Sequence, residues 1–240
     1  MTMLAPIAVA LDAPDLAVLS AWARAASPVV STLKVGLEVF CRDGADAVVA
    51  ARQAAASVGA HPALFLDLKL HDIPATVAGA ARGVADLEPD FLTVHASGGA
   101  AMIEAAAVAL PATRITAVTV LTSLDESVLE AVGLVGPAQD AAVRLAKLAV
   151  EAGARAIVCS PQEVAAIRAA VPSDIVLITP GVRPAGASVN DQKRVATPEQ
   201  ALADGADLLV IGRPITAAPD VAAAAWHLAE VTLAAVQGRG

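Results

Sequence analysis

The sequence predicts a single α/β domain folded as a (β/α)8 barrel, a parallel, eight-stranded closed barrel. Two observations predict it. Short apolar runs rich in Val, Ile and Leu recur eight times, separated by longer Ala-rich segments with helical spacing. Eight such runs in 240 residues is about 30 residues per unit, the length of one strand and one helix with their turns. Strand–helix alternation calls for parallel strands joined by helical crossovers. The count of eight and the total length both match a closed barrel, typically about 250 residues. An open doubly wound sheet is the structural rival, and no G-x-G-x-x-G follows the first run to support it. No Gly-, Ser- or Pro-rich linker divides the chain, so residues 1–240 read as one domain.

In chain order, strands are expected at Ile7–Asp12, Val29–Val35, Leu64–Lys69, Phe91–His95, Ile115–Leu121, Ala156–Cys159, Ile175–Ile178 and Leu208–Ile211. Leu16, Leu19 and Ala23 share one helical face, and Val143, Leu145 and Leu148 approximately share another. Pro14, Pro74 and Pro161 each follow a strand and suit the first turn of a helix. The stretch Pro180–Val195 is the longest candidate loop, and loops of that length in compact domains are usually functional lids.

Composition narrows the class. Hydrophobic residues make up 57% of the chain, far too much apolar surface for disorder at this charge. The longest stretch without Asp, Glu, Lys or Arg runs from Gln53 to Leu66 and falls short of the roughly 20 apolar residues of a membrane span. The N-terminus has no basic lead-in and meets Asp12 early, unlike a signal peptide. Sixteen basic against twenty-four acidic residues give a net charge of −8, and there is no basic run, which argues against nucleic-acid binding. Cys41 and Cys159 lie far apart outside any C-x-x-C pattern and read as reduced thiols in a cytoplasmic protein. The four histidines are scattered too, so zinc is not expected.

In such a barrel the active site lies at the carboxyl ends of the strands. Asp12 ends the first run, Lys34 the second, and the third ends in Asp67-Leu68-Lys69 followed by Asp72. Period two puts Phe65, Asp67 and Lys69 on one face and Leu64, Leu66 and Leu68 on the other. The leucines would pack against helices, and Asp67 and Lys69 would point into the barrel mouth beside Lys34. Taken singly, each charge has an ordinary reading as a solvated side chain, a helix cap or an ion-pair member. Together Lys34, Asp67, Lys69 and Asp72 form an alternating-charge set where catalysis is expected, and buried networks of this kind are functional candidates. After the eighth run, Gly212-Arg213 suits a phosphate: the glycine admits a ligand to the backbone, and the guanidinium offers a planar fork.

The stretch Phe65-Leu-Asp-Leu-Lys-Leu-His-Asp-Ile-Pro74 closely resembles the signature of the orotidine 5′-phosphate decarboxylase family. Further matches follow in order: Ala10-Leu-Asp12, Lys34-Val-Gly36, Val94-His-Ala96, Leu121-Thr-Ser123, Thr179-Pro-Gly-Val-Arg-Pro184, Asp191-Gln192 and Val210-Ile-Gly-Arg213. The resemblance implies decarboxylation of orotidine 5′-phosphate to uridine 5′-phosphate and carbon dioxide, the last step of de novo pyrimidine nucleotide synthesis, without metal or cofactor. It makes Lys34, Asp67, Lys69 and Asp72 the catalytic set. It makes Asp12 a ribose contact, Ser123 a pyrimidine contact, and Gln192 and Arg213 phosphate ligands, with Pro180 and Gly212 completing the substrate-binding residues. It also implies a homodimer in which Asp72 and Thr76 enter the partner's site.

The chemistry leaves charge on a ring carbon, and no pyridoxal or thiamine motif is present to accept it. Lys69 would stabilise that charge and then donate the replacing proton, held in place by Asp67 and Asp72. The alternative is a magnesium-dependent sugar-phosphate decarboxylase or aldolase of the same superfamily, which shares the D-x-K-x-x-D core. A non-catalytic phosphate-binding barrel would need only Gly212-Arg213.

Overall fold

In a computed structural model the chain is described over residues 3–183 and 196–238. Eight parallel strands close into a ring: β1 (Ala5–Ala10), β2 (Val30–Gly36), β3 (Ala63–Leu70), β4 (Phe91–His95), β5 (Arg114–Val118), β6 (Ala156–Val158), β7 (Val176–Thr179) and β8 (Leu208–Ile211). Each pairs with the next in sequence, and β8 pairs back onto β1 through Ile7↔Leu209, Ala8↔Val210 and Val9↔Ile211. Helices cover the outside. The expected strands are all present: Phe91–His95 and Leu208–Ile211 have the expected bounds, and the ends of the others differ by at most three residues. Among the described residues no helix is long and apolar enough to cross a membrane.

Alternation along the strands sorts the side chains into two cores. Outward residues such as Ile7, Val9, Leu64, Leu66, Leu92 and Leu209 join the helices in one continuous cluster. Inward residues form a second, smaller cluster inside the ring, centred on Ala8, Phe65, Phe91, Ala156, Ile178 and Leu208. Phe65 and Phe91 meet edge to face, 5.8 Å between centroids. Burying each ring is worth about 2–3 kcal/mol, and the pair fills the barrel beneath the mouth. The predicted facing of β3 therefore holds: its leucines pack outward, while Phe65, Asp67 and Lys69 line the interior and mouth.

The helices show why alanine is so abundant. In Ala45–Ala56 the buried residues are Ala47, Val48, Ala51, Ala54 and Ala55. In Ala138–Glu151 they are Ala141, Ala142, Ala146 and Ala149. Small side chains let a helix lie close against the strands. This corrects the sequence reading of that second helix: Val143, Leu145 and Leu148 are only partly buried and flank an alanine seam. Helix starts also differ in one place. Pro74 opens the helix Pro74–Gly83, and Pro161 opens a short 3-10 turn whose cap, Ser160, forms a capping box with Glu163. Pro14 lies outside its helix, which runs Leu16–Ala26 and is capped by Asp15 accepting from the Val18 amide at 2.8 Å. Asp12 is thus not a cap.

Candidate active site

The carboxyl ends of the strands surround a cavity of about 620 Å³. Asp12, Lys34, Asp67, Lys69, Ser123, Pro180, Gly212 and Arg213, all singled out in the sequence, line it together. Its walls carry Val118, Val158 and Val210, and Phe65 lies at its floor. Asp12, Lys34, Asp67 and Lys69 follow the adjacent strands β1 to β3, and Arg213 and Thr216 follow β8, the neighbour of β1 on its other side.

The charged group follows from strand register. Beyond the end of β1 the Leu11 amide still donates to the Lys34 carbonyl at 2.9 Å, so Asp12 stands beside Lys34. Register β2↔β3 aligns Lys34 with Phe65 and Gly36 with Asp67. Lys34 Nζ then lies 3.4 Å from both Asp12 Oδ1 and Asp67 Oδ2, with 8% of its side chain exposed. Lys69 Nζ lies 2.7 Å from Asp67 Oδ1. The result is a chain of alternating charge, Asp12–Lys34–Asp67–Lys69. Gly36 makes room for it: a Cβ there would sit 2.7 Å from Asp12 Oδ1 and 2.8 Å from Lys34 Nζ.

Burial pushes the Asp67 carboxyl up, but Lys34 and Lys69, with hydrogen bonds from Lys69 and Thr93, outweigh it and hold the group below the usual carboxylate value. Asp67 is therefore an anion at neutral pH. On β4, burial lowers the pKa of His95; His71 and Lys69 reinforce that, while Asp67 opposes it. The His71 and His95 rings face each other at 5.3 Å.

Lys69 reaches its position through an irregular backbone. Its φ is +50°, one of two positive values among the described non-glycine residues. A left-handed conformation at such a residue costs about 1–2 kcal/mol and persists only where neighbours impose it. The register on β4 jumps from Leu66↔Leu92 to Leu70↔Val94, so β3 bulges here.

Two expected site residues stand apart. Asp72 and Thr76 are exposed at the start of the Pro74–Gly83 helix and do not line this cavity; Asp72 Oδ1 accepts from the Ile73 amide at 2.6 Å. Gln192 lies outside the described residues, as does most of the stretch expected as a lid. The ends of that stretch are joined, with Val182 bridging Ala196 and the Arg183 amide donating to the Ala196 carbonyl at 3.0 Å. Sequence reasoning missed Arg183, which is buried and lines the same cavity, although it sits within the Thr-Pro-Gly-Val-Arg-Pro stretch. It also missed Thr93, which period two on β4 places facing inward between Phe91 and His95. At Gly212 a Cβ would lie 3.4 Å from that of Ala10, where the end of β8 meets β1.

Fold and site together define a (β/α)8 barrel with a charged ligand cavity at the carboxyl ends of its strands. The chain belongs to the Orotidine 5′-phosphate decarboxylase / HUMPS family, whose pattern matches residues 5–227. An orotidine 5′-phosphate decarboxylase of Thermobifida fusca is 69% identical over 227 residues, covering 95% of each chain. One from Anaeromyxobacter sp. (strain K) is 58% identical, covering 93% of this chain and 96% of its own. The crystal structure of the Lactobacillus acidophilus orotidine 5′-phosphate decarboxylase superposes with a TM-score of 0.78 at 34% identity, covering 94% of this chain and 98% of that one. The relatives' name denotes a carboxy-lyase.

Proposed function

We propose that this chain decarboxylates orotidine 5′-phosphate to uridine 5′-phosphate and carbon dioxide, with no metal or organic cofactor. The observation that carries the reading is the Asp12–Lys34–Asp67–Lys69 charge chain at the mouth. Loss of carbon dioxide leaves an electron pair on a ring carbon. The Lys69 ammonium, fixed by Asp67, supplies a preorganised positive charge beside it and then the proton that replaces the carboxylate. Asp67, an anion held between two ammonium groups, keeps that geometry through the reaction. Both of its oxygens face lysine nitrogens, which favours this reading over the magnesium-dependent sugar-phosphate chemistry that would need open carboxylate oxygens.

Arg213 and Arg183, which line the same cavity, would receive the phosphate through their guanidinium forks, with Gln192 as a further ligand. Asp12 would hold the ribose and Ser123 the pyrimidine. Phosphate binding lies far from the reacting bond, and its energy serves to organise the site. The exposed Asp72 and Thr76 are proposed to complete the site of a second copy in a homodimer, and the enzyme is proposed to work in the cytoplasm. The test is a spectroscopic assay with orotidine 5′-phosphate, without added metal and with a chelator. Turnover unaffected by the chelator is expected. No turnover, or turnover abolished by the chelator and restored by magnesium, overturns the proposal.

A further inference from the structure

The β3 bulge has a single neighbour across the sheet. Between the paired residues Leu66↔Leu92 and Leu70↔Val94, β3 carries Asp67, Leu68 and Lys69 where β4 carries only Thr93. A strand that gains residues over its neighbour leaves a backbone amide out of the ladder. Here the Lys69 amide donates to Thr93 Oγ1 at 2.7 Å. The same hydroxyl donates to Asp67 Oδ1 at 3.0 Å. Thr93 itself is fully buried. One oxygen therefore accepts from the backbone of Lys69 and donates to the carboxylate that holds the Lys69 side chain.

We propose that Thr93 is a positioning residue: its hydroxyl stands in for the missing ladder acceptor and locks Lys69 and Asp67 into one rigid unit. Thr93 touches no reacting atom. It acts by stabilising the left-handed backbone of Lys69 and by fixing the rotation of the Asp67 carboxylate, so that Oδ1 faces Lys69 and Oδ2 faces Lys34. β-Branching keeps the side chain stiff, which suits a clamp. The Thr93 hydrogen bond also contributes to the low pKa of Asp67. The charged and titratable groups facing that carboxylate are Lys34 from β2, with Asp12 behind it, Lys69 on its own strand and His95 on β4.

This rests on the catalytic reading of Lys69 and Asp67, and the test separates the two. Thr93→Val removes the hydroxyl at nearly constant shape; Thr93→Ser restores it; Thr93→Ala replaces the valine variant should that chain not fold. Rates are normalised to the number of sites that bind uridine 5′-phosphate. With orotidine 5′-phosphate, kcat of Thr93→Val is expected to fall about ten- to a hundredfold, as misplaced catalytic groups do, with KM within about threefold. The acid limb of its kcat profile should move to higher pH, because a donor to Asp67 is lost. Thr93→Ser should recover most of the rate. A wild-type rate in Thr93→Val, or Thr93→Ser no better than Thr93→Val, overturns the proposal. A crystal structure of Thr93→Val is read independently of turnover. Lys69 should leave its positive φ or Asp67 should rotate; both unmoved overturns the proposal even if the wild-type chain acts on another substrate.

Discussion

Replacing Lys34 with methionine tests the charge chain at its most buried link. The ammonium lies 3.4 Å from Asp67 Oδ2, in surroundings where little of either side chain reaches water. At an effective dielectric of about 20, a unit pair at that distance is worth about 5 kcal/mol. Removing one partner of a buried pair typically costs about 3–5 kcal/mol, because the remaining charge is left uncompensated. Methionine keeps much of the stem's apolar volume, so the loss is chiefly electrostatic. Lys69 still faces Asp67 and the mouth admits water. The expected destabilisation is therefore at the low end, about 3 kcal/mol near pH 8.

The pH dependence is the sharper discriminator. In the native chain Asp67 is held below its unfolded value. Its contribution is complete above the unfolded carboxylate pKa, about 4, and is lost as pH falls through the lower folded value. Without Lys34, burial loses its largest opponent, and the Asp67 pKa is expected to move up. Protonation in mild acid then relieves the penalty, so the stability gap between the two chains should narrow as pH falls from about 8 to about 5. Urea unfolding followed by circular dichroism measures the gap. A gap unchanged across that range, or a loss below about 1 kcal/mol near pH 8, would refute the reasoning, since an exposed pair contributes no more than that. In an Asp67→Asn background the Lys34→Met cost should shrink markedly, because no buried anion is left behind.

Gly36→Ala should leave the fold intact, because the atoms its Cβ meets are the ends of flexible side chains. It should still lower kcat/KM by about ten- to a hundredfold by displacing Lys34 and Asp12; steady-state kinetics unchanged from wild type would show that the tight fit is immaterial. Arg213→Ala should weaken binding of orotidine 5′-phosphate more than that of the nucleoside lacking phosphate, as calorimetry would record, and equal losses would remove Arg213 from the phosphate site. Lys69→Ala and Asp72→Ala are each expected to abolish turnover. Mixing the two should restore part of it, because some mixed dimers carry one intact site. Mixed dimers shown to form without recovered activity would count against Asp72 serving a partner.

The strands were legible because each carries the period of its environment. On β3 the alternation of leucine with Phe65, Asp67 and Lys69 reports two chemically different sides, and both sides are where that pattern puts them. The grouping of Asp12, Lys34, Asp67, Lys69 and Arg213 followed from one rule, that polar residues ending strands converge at the barrel mouth. Less visible were features set by contacts distant in sequence. The bulge at Lys69 depends on β4, and nothing local in Asp-Leu-Lys announces a left-handed lysine. Thr93 reads as an ordinary β-former until its two partners are known. Asp15 rather than Asp12 caps the first helix, because the helix begins at Leu16, two residues beyond Pro14. In the helix Ala138–Glu151 the larger residues drew attention, but closeness of approach selected alanine for the buried seam.

Closure of β8 onto β1 has a consequence for the order in which this molecule is made. The ladder Val9↔Ile211 joins residues from opposite ends of the chain, and Asp12 and Arg213 stand just beyond it. A ribosome emits β1 first and β8 last, so most of the polypeptide must exist before the ring can shut. Until then β1 and the latest strand each present an unpaired edge, the condition in which nascent chains associate wrongly. The proposed phosphate end of the pocket is the last part to be assembled. Chains released early would carry Asp12, Lys34, Asp67 and Lys69 yet lack Arg213, and so could not bind a phosphate through it.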